Sequence, residues 1–279
     1  MVRGISIHIG LNYLDERHYG SGVDSLETCE QDAKDIQQIA IDQNFKSSFL
    51  LLSENATRRA VRDIIKFASR ELTRGDMLLL SYSGHGGFVL DTNGDELDNL
   101  DETWCLYDGQ LLDDELNQLW TLFAEGVRIF VISDSCHSGT VAKAPLLGMD
   151  KNSAIFQKKL LPYSIAKDVY LRNMEFYHEI EDKTGQFKVE DVKASVKLFA
   201  ACQDPQVSYT MTFAKNSIFT EKIKEVWDAG RFIGNYSEFF EIVKDEVVKL
   251  DFLPTVQTPN LFSVGREDRE FDVKKPFEL

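Results

Sequence analysis

Short apolar runs alternate along the chain with segments in which apolar residues recur every three or four positions, and this alternation constrains the fold most. The runs at 5–9, 48–52, 77–82, 127–133, 196–201 and 260–264 have the length and composition of strands. Amphipathic helices are predicted at 27–44, from Thr57 onward, and at 113–122, 217–229 and 236–250. Alternating strands and helices build a mostly parallel sheet that helices cover on both faces. We therefore predict an α/β fold, a three-layer sandwich around a sheet of about six strands.

The composition allows one well-packed domain and excludes several classes of protein. The chain has 279 residues, of which 43% are hydrophobic, so a sizeable core is available. Its net charge of −15 disfavours nucleic acid and anionic lipid surfaces as partners. No apolar run approaches the roughly 18 residues of a membrane span, and the apolar run at the start is too short for a signal peptide. The four cysteines lie far apart, which argues against a zinc cluster or a disulfide framework, so we expect a cytoplasmic protein.

Two motifs follow neighbouring predicted strands, and both carry reactive side chains. Tyr-Ser-Gly-His-Gly at 82–86 ends the third strand, and Asp-Ser-Cys-His-Ser-Gly at 134–139 follows the fourth. The carboxyl ends of parallel strands meet at one edge of a sheet, where open α/β folds place their sites. His85 is expected to be exposed on a sharp turn, and Cys136 is a candidate nucleophile whose proton an imidazole accepts. His137 is a second candidate base, but adjacent residues of an extended segment point to opposite faces, which favours His85.

The histidine precedes the cysteine by about 50 residues, a spacing that is a caspase signature. Together the two motifs resemble those of the metacaspases, the caspase-like cysteine peptidases of bacteria, fungi, plants and protists. Further matching segments are Ile-Gly-Leu-Asn-Tyr at 9–13, Cys-Glu-Gln-Asp-Ala at 29–33, Asp-Asp-Glu at 113–115 and Cys-Gln-Asp-Pro-Gln-Val-Ser at 202–208. True caspases are less similar, because their nucleophile motif is Gln-Ala-Cys-Arg-Gly.

The resemblance implies a caspase-like three-layer sandwich and a cysteine endopeptidase. In that reaction Cys136 attacks the peptide carbonyl and His85 is the base. The resemblance also assigns the oxyanion hole to the backbone N–H groups of Gly86 and Cys136.

An acidic pocket for the residue before the cut is also implied by the resemblance. The metacaspases that this chain resembles cleave after Arg or Lys, and the pocket residues carried over are Cys29, Asp32, Ser83 and Asp134. Asp134 lies two residues before the nucleophile, on the same face of the strand end. A cation between two carboxylates gains charge-assisted hydrogen bonds, whereas an acidic side chain meets like charges. The alternatives are that Asp134 caps the strand end and that Asp32 is an exposed helix charge.

An acidic stretch at 91–102, predicted as a loop, follows the histidine. Its spacing differs from an EF-hand, because the turn glycine comes at the fourth position rather than the sixth. Many metacaspases have an activating calcium site, and the matching residues here are Asp101, Asp113 and Asp114. Lys143 replaces the fourth expected acid, and its ammonium would take the place of the cation or weaken its binding. Calcium is therefore an open expectation, and the alternative is a solvated acidic turn with Asp113 capping the next helix.

We divide the chain into a large catalytic part at 1–143, a processing linker or insertion at 144–194 and a small part at 195–279, all within one caspase-like domain. The linker has basic residues after which a peptidase of this specificity would cut its own chain. These residues are Lys151, Lys158, Lys159, Lys167, Arg172, Lys183 and Lys188. Self-cleavage in the linker is therefore a second expected route to activation.

The expected partners are protein or peptide substrates with Arg or Lys before the cut. Because the sequence starts directly at the first predicted strand, we also expect a separate regulatory protein. The resemblance implies a role in programmed cell death or defence. Two other functions stay open: a catalytically silent caspase-like scaffold whose pocket the insertion closes, and a doubly wound nucleotide-binding module. The second is disfavoured because no glycine-rich phosphate loop follows the first strand.

Overall fold

The computed structural model describes residues 2–90, 100–136, 155–184, 188–203 and 206–279. Within these residues the strands are β1 (Gly4–Gly10), β2 (Ser47–Leu52), β3 (Met77–Ser83), β4 (Gly86–Leu90), β5 (Leu100–Leu106), β6 (Gly109–Leu112), β7 (Arg128–Asp134), β8 (Phe156–Lys158), β9 (Ser195–Ala200), β10 (Tyr209–Met211) and β11 (Asn260–Gly265). The α-helices are α1 (Glu16–Tyr19), α2 (Cys29–Asp42), α3 (Arg58–Glu71), α4 (Asp113–Trp120), α5 (Tyr163–Arg172), α6 (Met174–Thr184), α7 (Ile218–Trp227), α8 (Tyr236–Val248) and α9 (Arg269–Val273).

A six-stranded sheet forms the centre of the molecule, in the order β11-β9-β7-β3-β1-β2. Five of its strands run parallel, and β11 is antiparallel to β9 at one edge. Every residue of β1, β3 and β7 is buried, because helices cover both faces of these central strands. The strands predicted from the six apolar runs are all present, so this part of the prediction is confirmed.

Helices pack on both faces of the central sheet. On one face, α2 and α7 contribute Ile36 and Phe219 to a core that includes Phe130 of β7. On the other face, Ile65 of α3 packs in a second core with Leu80 of β3. Each fully buried side chain of this size contributes roughly 1.5–3 kcal/mol of transfer free energy. The predicted three-layer α/β sandwich is therefore confirmed.

Two smaller sheets lie outside the sequence predictions. Strands β4, β5 and β6 form an antiparallel sheet, and β8 pairs antiparallel with β10. The prediction of an acidic loop over 91–102 is wrong at its end, because Asp101 and Glu102 lie on β5. Pairing with β4 on one side and β6 on the other overrides the low strand propensity of acidic residues. Residues 91–99 lie outside the described residues.

The predicted linker at 144–194 contains regular structure over much of its described part. Its residues include β8, α5 and α6. Ala166 and Val169 of α5 pack with Phe88 of β4 and Cys105 of β5, so the helix covers one face of the small three-stranded sheet. This part of the linker is thereby attached to the large catalytic part of the fold.

None of the helices in the described ranges combines the length and the apolar character that crossing a membrane requires.

Candidate active site

The two motifs meet because their strands are direct neighbours in the sheet. β3 and β7 pair in parallel with Ser83 opposite Asp134, so the residues that follow each strand come to the same edge. Gly86 then passes so close to the nucleophile segment that a Cβ at this position would overlap the carbonyl oxygen of Cys136. Glycine is therefore required at 86 for the backbone to approach the cysteine.

His85 is buried, with 3% of its surface exposed, so the expectation of an exposed histidine is wrong. The bridge between Gly86 and Leu160 brings a linker segment over this turn. The Nε2 atom of His85 donates to the backbone carbonyl of Asp24 at 2.9 Å, because a carbonyl can only accept. This bond leaves Nδ1 as the acceptor nitrogen, and Nδ1 has no partner among the described residues. Burial also lowers the pKa of His85, so the imidazole is neutral and able to take a proton near neutral pH.

Cys136 follows the end of β7, and its thiol contacts the segment before β10. The backbone N–H of Ser208 donates to Sγ at 2.9 Å, and Sγ lies 3.6 Å from the carbonyl oxygen of Ser208. Cys136 as a whole is 1% exposed, so bulk solvent does not reach its side chain. His137, the second candidate base, lies outside the described residues.

Lys159, one of the basic linker residues, has its side chain in the predicted acidic pocket. Its Nζ lies 3.1 Å from Asp32 Oδ2, 3.1 Å from Asp134 Oδ1 and 2.8 Å from Ser83 Oγ. An ammonium has three N–H donors, and each finds an oxygen here. The structure thus brings together three of the four predicted pocket residues around one buried cation.

The two carboxylates of the pocket are fixed by further donors. Asp32 Oδ1 accepts from the backbone N–H of Ser217 and from Asn216 Nδ2, both at 3.0 Å. Asp134 accepts from Thr220 Oγ1 at 2.8 Å and also from the Ser217 hydroxyl. Asp32 is 1% exposed, so the alternative of an exposed helix charge is wrong. Burial and these bonds together make the floor of the pocket rigid.

Charge and burial compete inside the pocket. Burial raises the pKa of Asp32, although the ammonium of Lys159 partly opposes this effect. Burial alone would lower the pKa of Lys159, but the attraction of the Asp134 and Asp32 carboxylates outweighs this effect and raises that pKa. Burial also raises the pKa of the Cys29 thiol to about 12, so Cys29 lines the pocket as a neutral group. The pocket therefore keeps the desolvated Lys159 ammonium in its charged form.

The main chain of Lys159 is held at the nucleophile. Its carbonyl oxygen accepts from the N–H groups of Gly86 at 3.0 Å and Cys136 at 3.1 Å, the two donors assigned to the oxyanion hole. Its own N–H donates to the carbonyl of Ser208 at 3.1 Å. Two residues further along, the N–H of Leu161 donates to the carbonyl of Gly86 at 2.9 Å. The linker thus crosses the cleft as an extended peptide, with the main chain of Lys159 hydrogen-bonded to Gly86, Cys136 and Ser208.

Several of these groups could not be identified from sequence patterns. The Asp24 carbonyl gives no signal, because every residue has one. Asn216, Ser217 and Thr220 form a polar cluster at the start of α7, a composition that resembles ordinary helix capping. The seven basic linker residues are alike in sequence context, so Lys159 stood out only through its position in space.

The three residues predicted for calcium lie on β5 and at the start of α4. Asp101 is 2% exposed. Burial raises the pKa of Asp113 well above its usual value, and the nearby Asp101, Asp114 and Glu102 add to the increase. In the described ranges, no three His, Cys, Asp or Glu side chains are placed to hold a metal ion. Calcium binding at Asp101, Asp113 and Asp114 therefore stays a prediction, and Lys143 lies outside the described residues.

The arrangement of a thiol, a neutral imidazole and two backbone N–H groups at the carboxyl edge of a parallel sheet defines a caspase-like cysteine peptidase site. A family profile described as metacaspase, peptidase C14 domain, matches residues 6–145. The chain therefore belongs to the metacaspase family of cysteine peptidases, and the resemblance predicted from its motifs is confirmed.

Curated relatives agree with this family. Metacaspase-1 of Arabidopsis thaliana is 35% identical over 153 residues, which are 50% of this chain and 40% of the relative. Metacaspase-2 of the same plant is 31% identical over 217 residues, which are 73% of this chain and 46% of the relative. The matched part of the chain thus spans less than half the length of these relatives.

Two crystal structures share the fold over nearly the whole chain. The protein GSU0716 from Geobacter sulfurreducens has a TM-score of 0.86 at 42% identity, covering 99% of this chain and 98% of that chain. Caspase-1 from Spodoptera frugiperda has a TM-score of 0.56 at 13% identity, covering 94% of this chain and 88% of that chain. The second likeness shows the fold alone, and it agrees with the predicted caspase-like sandwich.

Proposed function

We propose that the chain is a cysteine endopeptidase that cuts after Lys or Arg, and that the bond between Lys159 and Leu160 is its first substrate. One observation carries the proposal. The Lys159 side chain fills the acidic pocket while its carbonyl oxygen accepts from both Gly86 and Cys136. Specificity pocket and oxyanion donors are therefore occupied by the same residue, as a substrate would occupy them.

The groups present supply each step of amide hydrolysis. His85 Nδ1 accepts the thiol proton, and Cys136 Sγ forms a bond to the carbonyl carbon of Lys159. The N–H groups of Gly86 and Cys136 stabilise the negative oxygen that develops. Collapse of the intermediate breaks the C–N bond, and the protonated imidazole gives its proton to the amine of Leu160. Water then attacks the thioester, which releases the carboxylate of Lys159 and restores the thiol.

The same contacts block the cleft against other substrates before the cut. Lys159 is completely buried, and β8 occupies the edge of β10 beside the nucleophile. A peptide from another protein would have to bind in the acidic pocket and along the edge of β10. The uncut chain is therefore a zymogen, and cleavage after Lys159 opens the unprimed side of the cleft.

Incubation of the purified full chain tests this function. We expect two fragments whose intact masses and new N-terminus place the cut between Lys159 and Leu160. Cys136→Ala and Lys159→Ala should remain uncut. The matched control Lys158→Ala should still be cut, because the Lys158 side chain is exposed and lies outside the pocket.

Fluorogenic peptides that end in Lys, Arg or Asp then test cleavage of other substrates. Lys and Arg peptides should be cut by the processed chain, and the Asp peptide should not. Cleavage after Asp, or cleavage by the Cys136→Ala variant, would overturn the proposal.

A catalytically silent scaffold is the second candidate, because the cleft is filled and Cys136 is buried. Iodoacetamide labelling separates the two functions. A scaffold keeps Cys136 unlabelled and the chain uncut after long incubation. A peptidase shows slow labelling at first and rapid labelling of Cys136 once the chain has been cut.

Calcium activation and a role in cell death or defence complete the proposal, and both are supported by the family alone. Calcium dependence is tested by rates of self-cleavage with calcium and with a chelator. Equal rates in the two conditions would remove calcium from the proposed function.

A further inference from the structure

We propose that the cleft has an apolar subsite for the fourth residue before the cut, formed by Tyr209 and Phe252, and that it selects peptides with an aromatic side chain there. This inference rests on the proposed function, because it takes the linker segment in the cleft as a bound substrate. Phe156 occupies the subsite in the uncut chain.

Backbone pairing fixes which residue reaches the subsite. β8 adds to β10 in antiparallel register, with Lys158 opposite Tyr209 and Phe156 opposite Met211. The N–H of Thr212 also donates to the carbonyl of Ile155 at 2.8 Å, which extends the ladder beyond the strand. Peptides that bind by strand addition place their side chains alternately on two faces. If Lys159 in the acidic pocket is counted as the first residue before the cut, Phe156 is the fourth.

Two aromatic rings receive the Phe156 side chain. The ring of Phe252 is stacked with it at a centroid distance of 6.2 Å, and the ring of Tyr209 meets it edge-on at 6.1 Å. Both geometries are favourable for aromatic pairs. Phe252 remains 50% exposed even with Phe156 in place, so departure of the segment leaves an apolar surface beside the cleft.

The subsite does not depend on the linker for its shape. Tyr209 Oη is 2.9 Å from Thr255 Oγ1, and its backbone N–H donates to Gln257 Oε1 at 3.3 Å. Gln257 is 1% exposed, and its Nε2 donates to the carbonyl of Ala201 at 3.1 Å. These bonds hold the segment between α8 and β11 against β10. The subsite therefore stays in place after the cut.

The two positions between Phe156 and Lys159 are expected to restrict the choice of substrate residue less. The Lys158 side chain is exposed, and the amide of Gln157 makes one exposed bond to the carbonyl of Ser25 at 3.2 Å. Selection should therefore be concentrated at the first and the fourth residue before the cut.

Matched peptides test the subsite in the processed full chain. The peptides have the form X-Gln-Lys-Lys followed by a fluorogenic leaving group, with X as Phe, Ala or Asp. We expect kcat/KM for the Phe peptide to exceed that for the Ala peptide roughly tenfold or more. The Phe252→Ala variant should bring the ratio of the two rates close to one.

Phe67→Ala provides a matched control, since this half-exposed phenylalanine of α3 lies beside the N-terminal end of β1, away from the cleft. Its Phe-to-Ala ratio should equal that of the wild type. Equal cleavage of the Phe and Ala peptides by the wild type would overturn the inference while leaving cleavage after Lys intact. Failure to cut any peptide after Lys would overturn the proposed function, and the inference with it.

Discussion

The Nζ of Lys159 lies 3.1 Å from Oδ2 of Asp32, and both side chains are almost completely buried. The two residues are 127 positions apart in the sequence. Asp32 stands in the first turn of α2, while the second carboxylate of the pocket, Asp134, ends the strand before the nucleophile. The cation is therefore bound jointly by α2 and by β7, the strand that Cys136 follows. A cation bound in this pocket consequently has a fixed position relative to the Cys136 thiol.

Removing the charge of Asp32 should weaken cleavage after Lys. Asp32→Asn keeps the shape of the side chain, but a cation in the pocket then faces one carboxylate. Loss of one partner of a buried charge pair costs about 2–5 kcal/mol, so we expect kcat/KM for a Lys peptide to fall by about thirtyfold or more. The matched control is Asp35→Asn, one helical turn further on, where the carboxylate contacts Lys224 outside the pocket. Unchanged rates in both variants would contradict the pocket assignment.

The pocket should prefer Lys to Arg. The Nζ of Lys159 already has an oxygen for each of its N–H groups. A guanidinium is planar and presents five N–H donors on a longer side chain. The Asp134 carboxylate cannot shift to accommodate the larger guanidinium, because Thr220 and Ser217 donate hydrogen bonds to its other oxygen. We expect about tenfold higher kcat/KM for a Lys peptide than for the same peptide with Arg. Slower self-cleavage of Lys159→Arg is the second measurement, and a preference for Arg in either would be inconsistent with this fit.

Self-cleavage should persist below the pH at which an ordinary histidine becomes protonated. Protonation removes the acceptor lone pair of His85, so the rate falls as the pH drops through its pKa. Burial lowers this pKa from 6.5, and the nearby Lys159 ammonium lowers it further. The first-order rate of the wild-type chain, with Lys159 still in the pocket, should therefore have its acidic midpoint below 6.5. A midpoint at or above that value would show that His85 is not in the environment described.

The order of strands and helices could be predicted because it depends on local periodicity. The buried runs of β1, β3 and β7 are continuous in apolar residues, and the amphipathic pattern of α2 and α3 follows the helical repeat. The motif residues could be placed at one edge because parallel strands align their carboxyl ends.

The occupant of the pocket could not be predicted, because it depends on long-range packing. Lys159 follows Lys158 in the sequence, yet one side chain is completely buried and the other is exposed. The difference arises from pairing between β8 and β10 and from the bridge at Gly86, which local patterns do not encode. Acidic Asp101 on β5 was missed for a similar reason, since the pairing of that strand with its two neighbours overrides its propensity.

A second histidine, away from the site, is expected to govern acid stability. His8 lies in the middle of β1 and is completely buried, with Nδ1 2.8 Å from Ser81 Oγ. Its Nε2 has no hydrogen-bond partner among the residues that the structure describes. Burial lowers the pKa of His8 from 6.5 to about 3, so the folded protein holds this ring neutral.

The unfolded chain therefore binds one more proton than the folded chain between these two pKa values, and His8 destabilises the fold as the pH falls below 6.5. Between about pH 7 and about pH 5 this linkage amounts to about 2 kcal/mol of unfolding free energy. His8→Gln retains a polar side chain near Ser81 and cannot titrate. Urea unfolding at the two pH values should show that the variant loses about 2 kcal/mol less than the wild type on acidification. Identical losses in the two proteins would mean that His8 is solvated or charged in the folded state, because only a histidine kept neutral by burial makes this contribution.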